Sequence, residues 1–442
     1  MKKVLALLLA AVMVFTAAAC GQSERADENN TGKTGTAASG DKTGETAGKE
    51  ISGEISYMHF GDDYERQMYE DLIKGYMAKN PKAKINQIYT PDDYYTKLQT
   101  MLSSKTTPDV FWFAEGRTAE YAKAGILEDL TNVYEKYPAL VEDLIPSLRK
   151  FGQYEGKDIA MVKDWTSYVM YLNLDMFKEA GVTPPTSDWT MKDYIEIAGK
   201  MTKKEGDRVK QYGVCVNNYR ADWIAWLGAN NAEWFKNGKV NFSDPKSIEG
   251  LRPMFEAVEK GYAPSPAVLS SMGTTEDRMF ITGMVAMYPS GRWVIPSFRA
   301  EWDFEWDAVE LPTAETKSVA FICGMIGISK DSKNKDLAAD FVAYQLSREG
   351  LKYVSPSALA LPAYKSVLAD PEYVTVPPST EPFLKSADYV GTDVQYNALM
   401  SGGFSKLNDI IYAELSSAYN GDITLEQACK NIDSKANGDI FK

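Results

Sequence analysis

A single histidine, His59, stands in a chain of 442 residues, and positive charge is scarce, with 48 lysines and arginines against 61 aspartates and glutamates. Any Ser-His-Asp or Cys-His centre would have to be built on that one histidine. No phosphate loop, His-Glu-x-x-His or Cys-x-x-Cys spacing is present, so the chain reads as neither an enzyme nor a metalloprotein and needs no cofactor. His59 itself reads as a strand-end or cleft residue. The formal charge of −13 argues against nucleic acid and anionic lipid as partners. Cysteine is scarce too: Cys20, Cys215, Cys323 and Cys429. If Cys20 is modified, the odd remainder cannot form a full disulfide framework. Three buried free thiols is the favoured arrangement, and a Cys215 to Cys429 pair stays open. Beyond residue 19 no apolar run is long enough to span a bilayer.

What is present begins with Met1-Lys2-Lys3, the uncharged run Val4 to Ala19, and Cys20. Basic start, short apolar stretch and small residues Ala17-Ala18-Ala19 read as a secretion signal. The pattern resembles a bacterial lipoprotein signal, with Ala17 where that pattern usually carries leucine, and it implies a lipid, palmitate included, on Cys20. Residues 21 to 49 are almost all Gly, Ser, Thr, Ala, Asn, Asp, Glu and Lys, which cannot bury apolar surface and read as a flexible tether. A folded body held at the outer face of the cell membrane is the expectation. Without Lys2 and Lys3 the balance is 46 basic against 61 acidic groups, or −15.

The body, residues 50–442, is too long for one ordinary core, and its aromatics, drawn from nine Trp and twenty-six Tyr in the chain, suit two lobes. Strands and helices alternate. Glu54 to Phe60 reads as a strand, Asp62-x-x-Glu65 as a capping box opening a helix with stripe Met68, Leu72, Ile73, Tyr76 and Met77, and Asn80-Pro81 as its stop. Lys84 to Tyr89 and Pro108 to Phe113 are further strands around a helix from Asp92 to Ser103. This βαβ cadence predicts an α/β fold with parallel strands and helices on both faces. It resumes with strands at Tyr168 to Leu174, Gln211 to Val216, Met284 to Tyr288 and Phe321 to Ile328. Helices are expected at Thr190 to Lys204, Asp244 to Lys260, Thr274 to Gly283 and Lys333 to Leu346, with a last capping box at Thr424-x-x-Gln427.

Ordered motifs run through this body. They include Thr107-Pro108-Asp109-Val110, Ala124-Gly125-Ile126-Leu127, Tyr154-x-Gly156-Lys157, Tyr171-Leu172-Asn173-x-Asp175-Met176-Phe177, and Ala180-Gly181-Val182. Gly283-Met284-Val285-Ala286-Met287 leading to Gly291-x-Trp293, Gly324 to Ser329, and Lys335-x-Leu337-Ala338-Ala339-x-Phe341-Val342 follow. In this order they resemble the extracellular solute-binding proteins of ATP-binding cassette importers, in the sugar-binding group related to maltose-binding protein. The resemblance implies a two-lobe periplasmic-binding-protein clamp with three crossings, near Met161 to Asp164, Tyr288 to Gly291 and Tyr344 to Ser347. Lobe one would be 50–163 plus 291–345, and lobe two 164–290 plus 346–442. It also implies a monomer that captures a carbohydrate, an oligosaccharide, and hands it to membrane permease subunits.

A sugar offers apolar C–H faces and a rim of hydroxyls, so its site needs aromatic plates with carboxylate, amide or guanidinium groups. Loops after the strands supply both. Asp62 and Asp63 are either helix caps or hydroxyl ligands. Phe113 falls where the family carries a stacking aromatic, with Trp112 turned to the core. Glu115 and Arg117 are either a surface pair or a hydroxyl clamp. Asp164 and Trp165 sit at the first crossing; Tyr219 and Trp223 follow Val216; Arg292 and Trp293 sit at the second crossing, Trp293 being the foremost candidate. The family's late aromatic is missing at Lys406-Leu407-Asn408, with Tyr396 its possible replacement. Arg117, Arg220 and Arg292 leave an acidic sugar or phosphorylated polyol open. A glycoside-cleaving surface enzyme, its carboxylates hidden among the acidic residues, is the rival from another class.

Overall fold

The computed structural model describes residues 50–354, 359–370 and 380–442; the signal, Cys20 and the tether lie outside the described residues. Strand β1 (Gly53–Phe60) buries Ile55, Tyr57 and His59 on one face, as a period of two requires, and Met58 on the other. It runs into Gly61 at φ 145°, a backbone angle that side chains resist. Asp62 then caps helix α1 (Asp63–Lys79): its carboxylate accepts the Glu65 N–H, while the Glu65 carboxylate accepts the Asp62 N–H. Met68, Tyr69, Leu72, Ile73 and Tyr76 form the buried stripe. Burying each aliphatic side chain of that stripe is worth about 1.5–3 kcal/mol.

Strand β2 (Ala83–Thr90) pairs in parallel with β1 along its whole length. Helix α2 (Tyr94–Ser103) leads to β3 (Val110–Ala114), parallel to β1 on the other side. Strand β4 (Met161–Thr166) also belongs to this sheet, whereas β5 (Val169–Asn173) starts a second one. Helix α3 (Met191–Met201), capped by Thr190, is shorter than the expected Thr190 to Lys204. Its last residues instead form β6 (Lys203–Glu205), which turns at Gly206 (φ 60°) into β7 (Arg208–Val214). Helix α4 (Arg220–Ala229), β8 (Val285–Ser290), β9 (Trp306–Glu310), β10 (Ile322–Ile328), helix α5 (Lys335–Leu346) and β11 (Leu361–Pro362) follow. Helices α6 (Glu381–Lys385), α7 (Asp393–Met400), α8 (Phe404–Tyr419) and α9 (Leu425–Asp439) close the chain.

The first sheet has the order β11-β4-β10-β3-β1-β2 and the second β9-β5-β8-β7-β6. Strand β10 is antiparallel to both β3 and β4, so the carboxyl ends of β1, β3 and β4 share one edge. In the second sheet β8 is parallel to β7, and β5 is antiparallel to β8 and β9. The carboxyl ends of β7, β8 and β9 therefore lie at the end where β5 begins. Since β4 passes into β5 through only Ser167 and Tyr168, these two edges meet at the junction of the sheets, the place where open α/β sheets take ligands.

Strand pairing moves all three expected crossings. The first lies at Ser167-Tyr168, past Met161 to Asp164, because β4 keeps pairing with β10 as far as Thr166. The second lies between Glu310 and Ile322 and not near Tyr288 to Gly291: after β8 the chain returns to place β9 on the free edge of β5. Residues 291–310 thus stay with the second sheet instead of joining the first lobe. The third is not at Tyr344 to Ser347, since Leu361 and Pro362 still pair with β4. Cys215, Cys323 and Cys429 are buried and free, so the Cys215 to Cys429 pair is not made. Among the described residues no helix is long and apolar enough to cross a membrane.

Candidate functional site

The first sheet's junction edge is built by the ends of β1, β3 and β4. Phe60 ends β1 with 45% of its surface exposed and stacks on Trp112 of β3 at 5.9 Å and 27°. Trp112 is flanked by Tyr94 and Tyr95 of α2. The strip continues to Arg117, whose guanidinium lies 4.2 Å from the Tyr95 ring and pairs with Glu120 at 3.2 Å. Beneath it, Asp164 accepts the Gly324 N–H at 3.1 Å and pairs with Lys163 at 2.6 Å. A Cβ at Gly324 would sit 2.7 Å from both Asp164 Oδ1 and Trp112 Nε1, so the missing side chain lets the carboxylate and the indole come together.

Lys163 is buried and also donates to the Tyr69 hydroxyl. Burial pushes the Glu65 carboxyl up to about 7, against the pull of Lys163. Burial likewise holds the His59 imidazole down at about 4; its Nε2 lies 2.8 Å from Gln87 and its Nδ1 3.0 Å from the Phe60 carbonyl. His59 is thus a neutral packing residue of the strand end, 4.3 Å from the Tyr69 ring. No cluster of His, Cys, Asp or Glu fit for a metal occurs among the described residues.

The second sheet's edge is aromatic. Tyr168, at the start of β5, lies 6.0 Å from Trp293, which lies 6.0 Å edge-on from Tyr219. Asn217 braces the cluster, donating from its amide to the Tyr168 hydroxyl at 3.0 Å and from its backbone to Asp222 at 2.9 Å. Trp293 and Tyr219 are half-buried, and each keeps surface that a ligand ring can cover.

The two edges are tied by a buried ion pair. Glu115, which follows β3 and is 0% exposed, receives two hydrogen bonds from Arg220 of α4, at 3.1 and 3.3 Å. The backbone N–H of Cys323 donates to the same carboxylate at 3.2 Å. Burial opposes the charge on Arg220, yet the carboxylate beside it raises the guanidinium pKa above its ordinary value. Helices α7 and α8 add contacts with the first sheet's side: Ser405 donates to Glu120, Lys123 to the Ser401 carbonyl, and the Gln395 amide holds Phe321 through two hydrogen bonds.

Several expected ligand residues prove to be core. Phe113 is 0% exposed against Phe111 and Tyr121, while Trp112 takes the junction side; successive strand residues face opposite ways, and the parity was the reverse of that expected. Trp165 is buried, donating to the Pro362 carbonyl and stacked near Phe321. Trp223 is 1% exposed among Trp234, Phe242 and Phe404. Arg292 is 1% exposed, 5.2 Å from the Phe383 ring, and burial lowers its pKa to about 10. Its backbone N–H reaches Thr166 at 3.2 Å, which ties β8's end to β4. Asp62 and Asp63 are exposed, as helix cap and as the partner of Arg66. Tyr396 packs edge-on against Phe151, away from the aromatic cluster of the second edge. Phe60, Trp112, Tyr95, Lys163 and Tyr168 were not named as ligand residues; Phe60 and Tyr168 lie at strand ends, a position the sequence can mark, whereas Tyr95 lies in α2 and Trp112 and Lys163 lie within strands.

A separate open depression of about 520 Å³ lies at the opposite end of the second sheet, lined by Asn173, Asp175, Met176, Glu179, Gly283 and Phe304 among others. It is remote from both aromatic strips. The junction of the sheets, with its convergent rings and charges, is the better candidate because loops from both sheets meet there.

Residues 71–378 match the model of the family described as bacterial extracellular solute-binding protein. A maltotriose-binding protein of Pyrococcus abyssi is 23% identical over 330 residues, 73% of this chain and 69% of that one. A diacetylchitobiose binding protein of Streptomyces coelicolor is 27% identical over 360 residues, 78% of each chain. Among solved structures, an ABC substrate-binding protein of Listeria monocytogenes in complex with cycloalternan has a TM-score of 0.79 and 28% identity, covering 88% of this chain and 99% of that one.

Proposed function

The chain belongs to the bacterial extracellular solute-binding protein family, and from that premise we propose that it captures an oligosaccharide at the junction of its two sheets and delivers it to the membrane subunits of an ATP-binding cassette importer. The observation that carries this reading is the pair of aromatic strips, Phe60-Trp112-Tyr95 on one edge and Tyr168-Trp293-Tyr219 on the other. Phe60, Trp112 and Tyr95 on one side, and Trp293 and Tyr219 backed by the buried Tyr168 on the other, can hold the C–H faces of a sugar, and Asp164 beneath the first strip can take its hydroxyls. Ser167 and Tyr168, the shortest link between the sheets, serve as the hinge on which the lobes close. The lobes are 50–166 with 322–354 and 359–368, and 167–321 with 380–442.

On this reading the chain binds and does not cleave, works as a monomer, and is held at the outer face of the membrane by a lipid on Cys20 after removal of residues 1–19. Transport energy comes from the importer's ATPase. Titrating tryptophan fluorescence with neutral oligosaccharides, uronides, polyols and their phosphates tests the reading. Saturable change for an oligosaccharide with no new reducing ends supports it. Release of reducing ends would replace it with a glycoside-cleaving enzyme.

A further inference from the structure

We propose that Glu115 is a specificity-determining residue that excludes anionic ligands by committing Arg220, the guanidinium best placed to grip them. The inference rests on the junction being the ligand site.

Arg220 opens α4 at the carboxyl edge of the second sheet, 16% exposed at its side chain, and Glu115 faces it from the first sheet with none. Both guanidinium–carboxylate bonds are made, and the Cys323 N–H fixes the carboxylate from a third direction. A planar fork matched to a carboxylate is the same fork that would match a uronate or a phosphate. With Glu115 in place, an anion approaching Arg220 meets a buried negative charge it can neither displace cheaply nor share.

The neighbouring cations are similarly engaged. Arg117 is paired with Glu120 and lies over Tyr95. Lys163 is buried between Asp164 and Tyr69. Arg292 is buried over Phe383. Asp62 and Asp63, which follow β1, are exposed carboxylates, Asp63 paired with Arg66. Such an edge admits hydroxyls and repels anions, so Glu115 sets the ligand class as neutral.

Substituting Glu115→Gln keeps the shape and removes the charge, freeing Arg220. Calorimetric titration of the purified chain with neutral oligosaccharides, with D-glucuronate and with inorganic phosphate is the test, with circular dichroism to establish that each variant is folded. The wild type is expected to be silent to both anions. Glu115→Gln is expected to gain at least tenfold in affinity for one of them, and Glu115→Gln with Arg220→Gln to lose that gain. Anion binding by the wild type, or no gain in the folded single variant, would overturn the proposal. Should Glu115→Gln not fold, the wild-type anion titration alone decides. Silence to neutral sugars as well would instead refute the carbohydrate reading, an outcome the separate neutral arm makes visible.

Discussion

The two edges that meet at the junction are built from different chemistry. The first carries the buried Lys163 and Glu115 and the half-buried Asp164 and Glu65, with an aromatic strip beside them. The second carries rings, Tyr168, Tyr219 and Trp293, with Arg220 tied to Glu115 and Arg292 buried over Phe383. The difference assigns their work. The half-buried Tyr219 and Trp293 supply contact area for any sugar face, whereas fixed carboxylates and their partners decide which hydroxyls, and which charges, are accepted. Affinity should therefore be most sensitive on the second edge, and stability and pH response on the first.

The largest effect that would break this division is at Trp293. Trp293→Ala should lower affinity for the bound oligosaccharide by about 100-fold, roughly 2.7 kcal/mol, in a calorimetric titration, with a thermal midpoint close to wild type. A collapse of the midpoint would make Trp293 a core residue.

On the first edge, neighbouring rings should separate. Phe113→Ala should cost about 3–5 kcal/mol of stability in denaturant unfolding, as for a buried phenylalanine. Trp112→Ala should cost less stability and about tenfold in affinity. Equal behaviour of the two would mean that the strand does not present alternate faces as described.

The pH response sharpens the comparison further. Glu65 holds its proton up to about 7 in the folded chain, so its contribution is present below the ordinary carboxylate range and is lost as pH rises through 7. His59, held down at about 4, acts the other way: its contribution is present above about 6.5 and is lost as pH falls through 4. The two oppose each other over the same window. Glu65→Gln should leave His59 alone and steepen the rise of stability with pH between about 4.5 and 6.5, by up to about 1.4 kcal/mol per unit. Melting curves across that range check it, and Tyr219→Phe on the second edge should leave the slope unchanged. The smallest effect concerns the thiols: with three buried free cysteines, a reductant should move the thermal midpoint by less than about 1 °C.

Much of this was legible where the governing interactions are local. The Asp62–Glu65 box and the stripe behind it fix α1, and the same logic places Thr424 at the start of α9. Residues at strand ends could be marked for the junction from the βαβ order alone. What could not be read is set by distant contacts. In β3 both faces are covered, so Trp112 and Phe113 are equally apolar in pattern and only packing chooses between them. The return of Trp306–Glu310 to the free edge of β5 has no sequence signal beyond its neighbours, and it moved the second crossing. The Glu115–Arg220 pair joins residues on different sheets, where either alone looks like a solvated charge.

On the proposed function, the junction of the sheets takes a neutral carbohydrate between its two aromatic edges. Calorimetric titration of residues 50–442 with a panel of neutral oligosaccharides, run beside Trp293→Ala and Trp112→Ala, tests it most directly. One saturable, one-to-one heat signal that weakens in both variants is expected. A signal that neither variant alters, or silence across the panel from a folded chain, would contradict it.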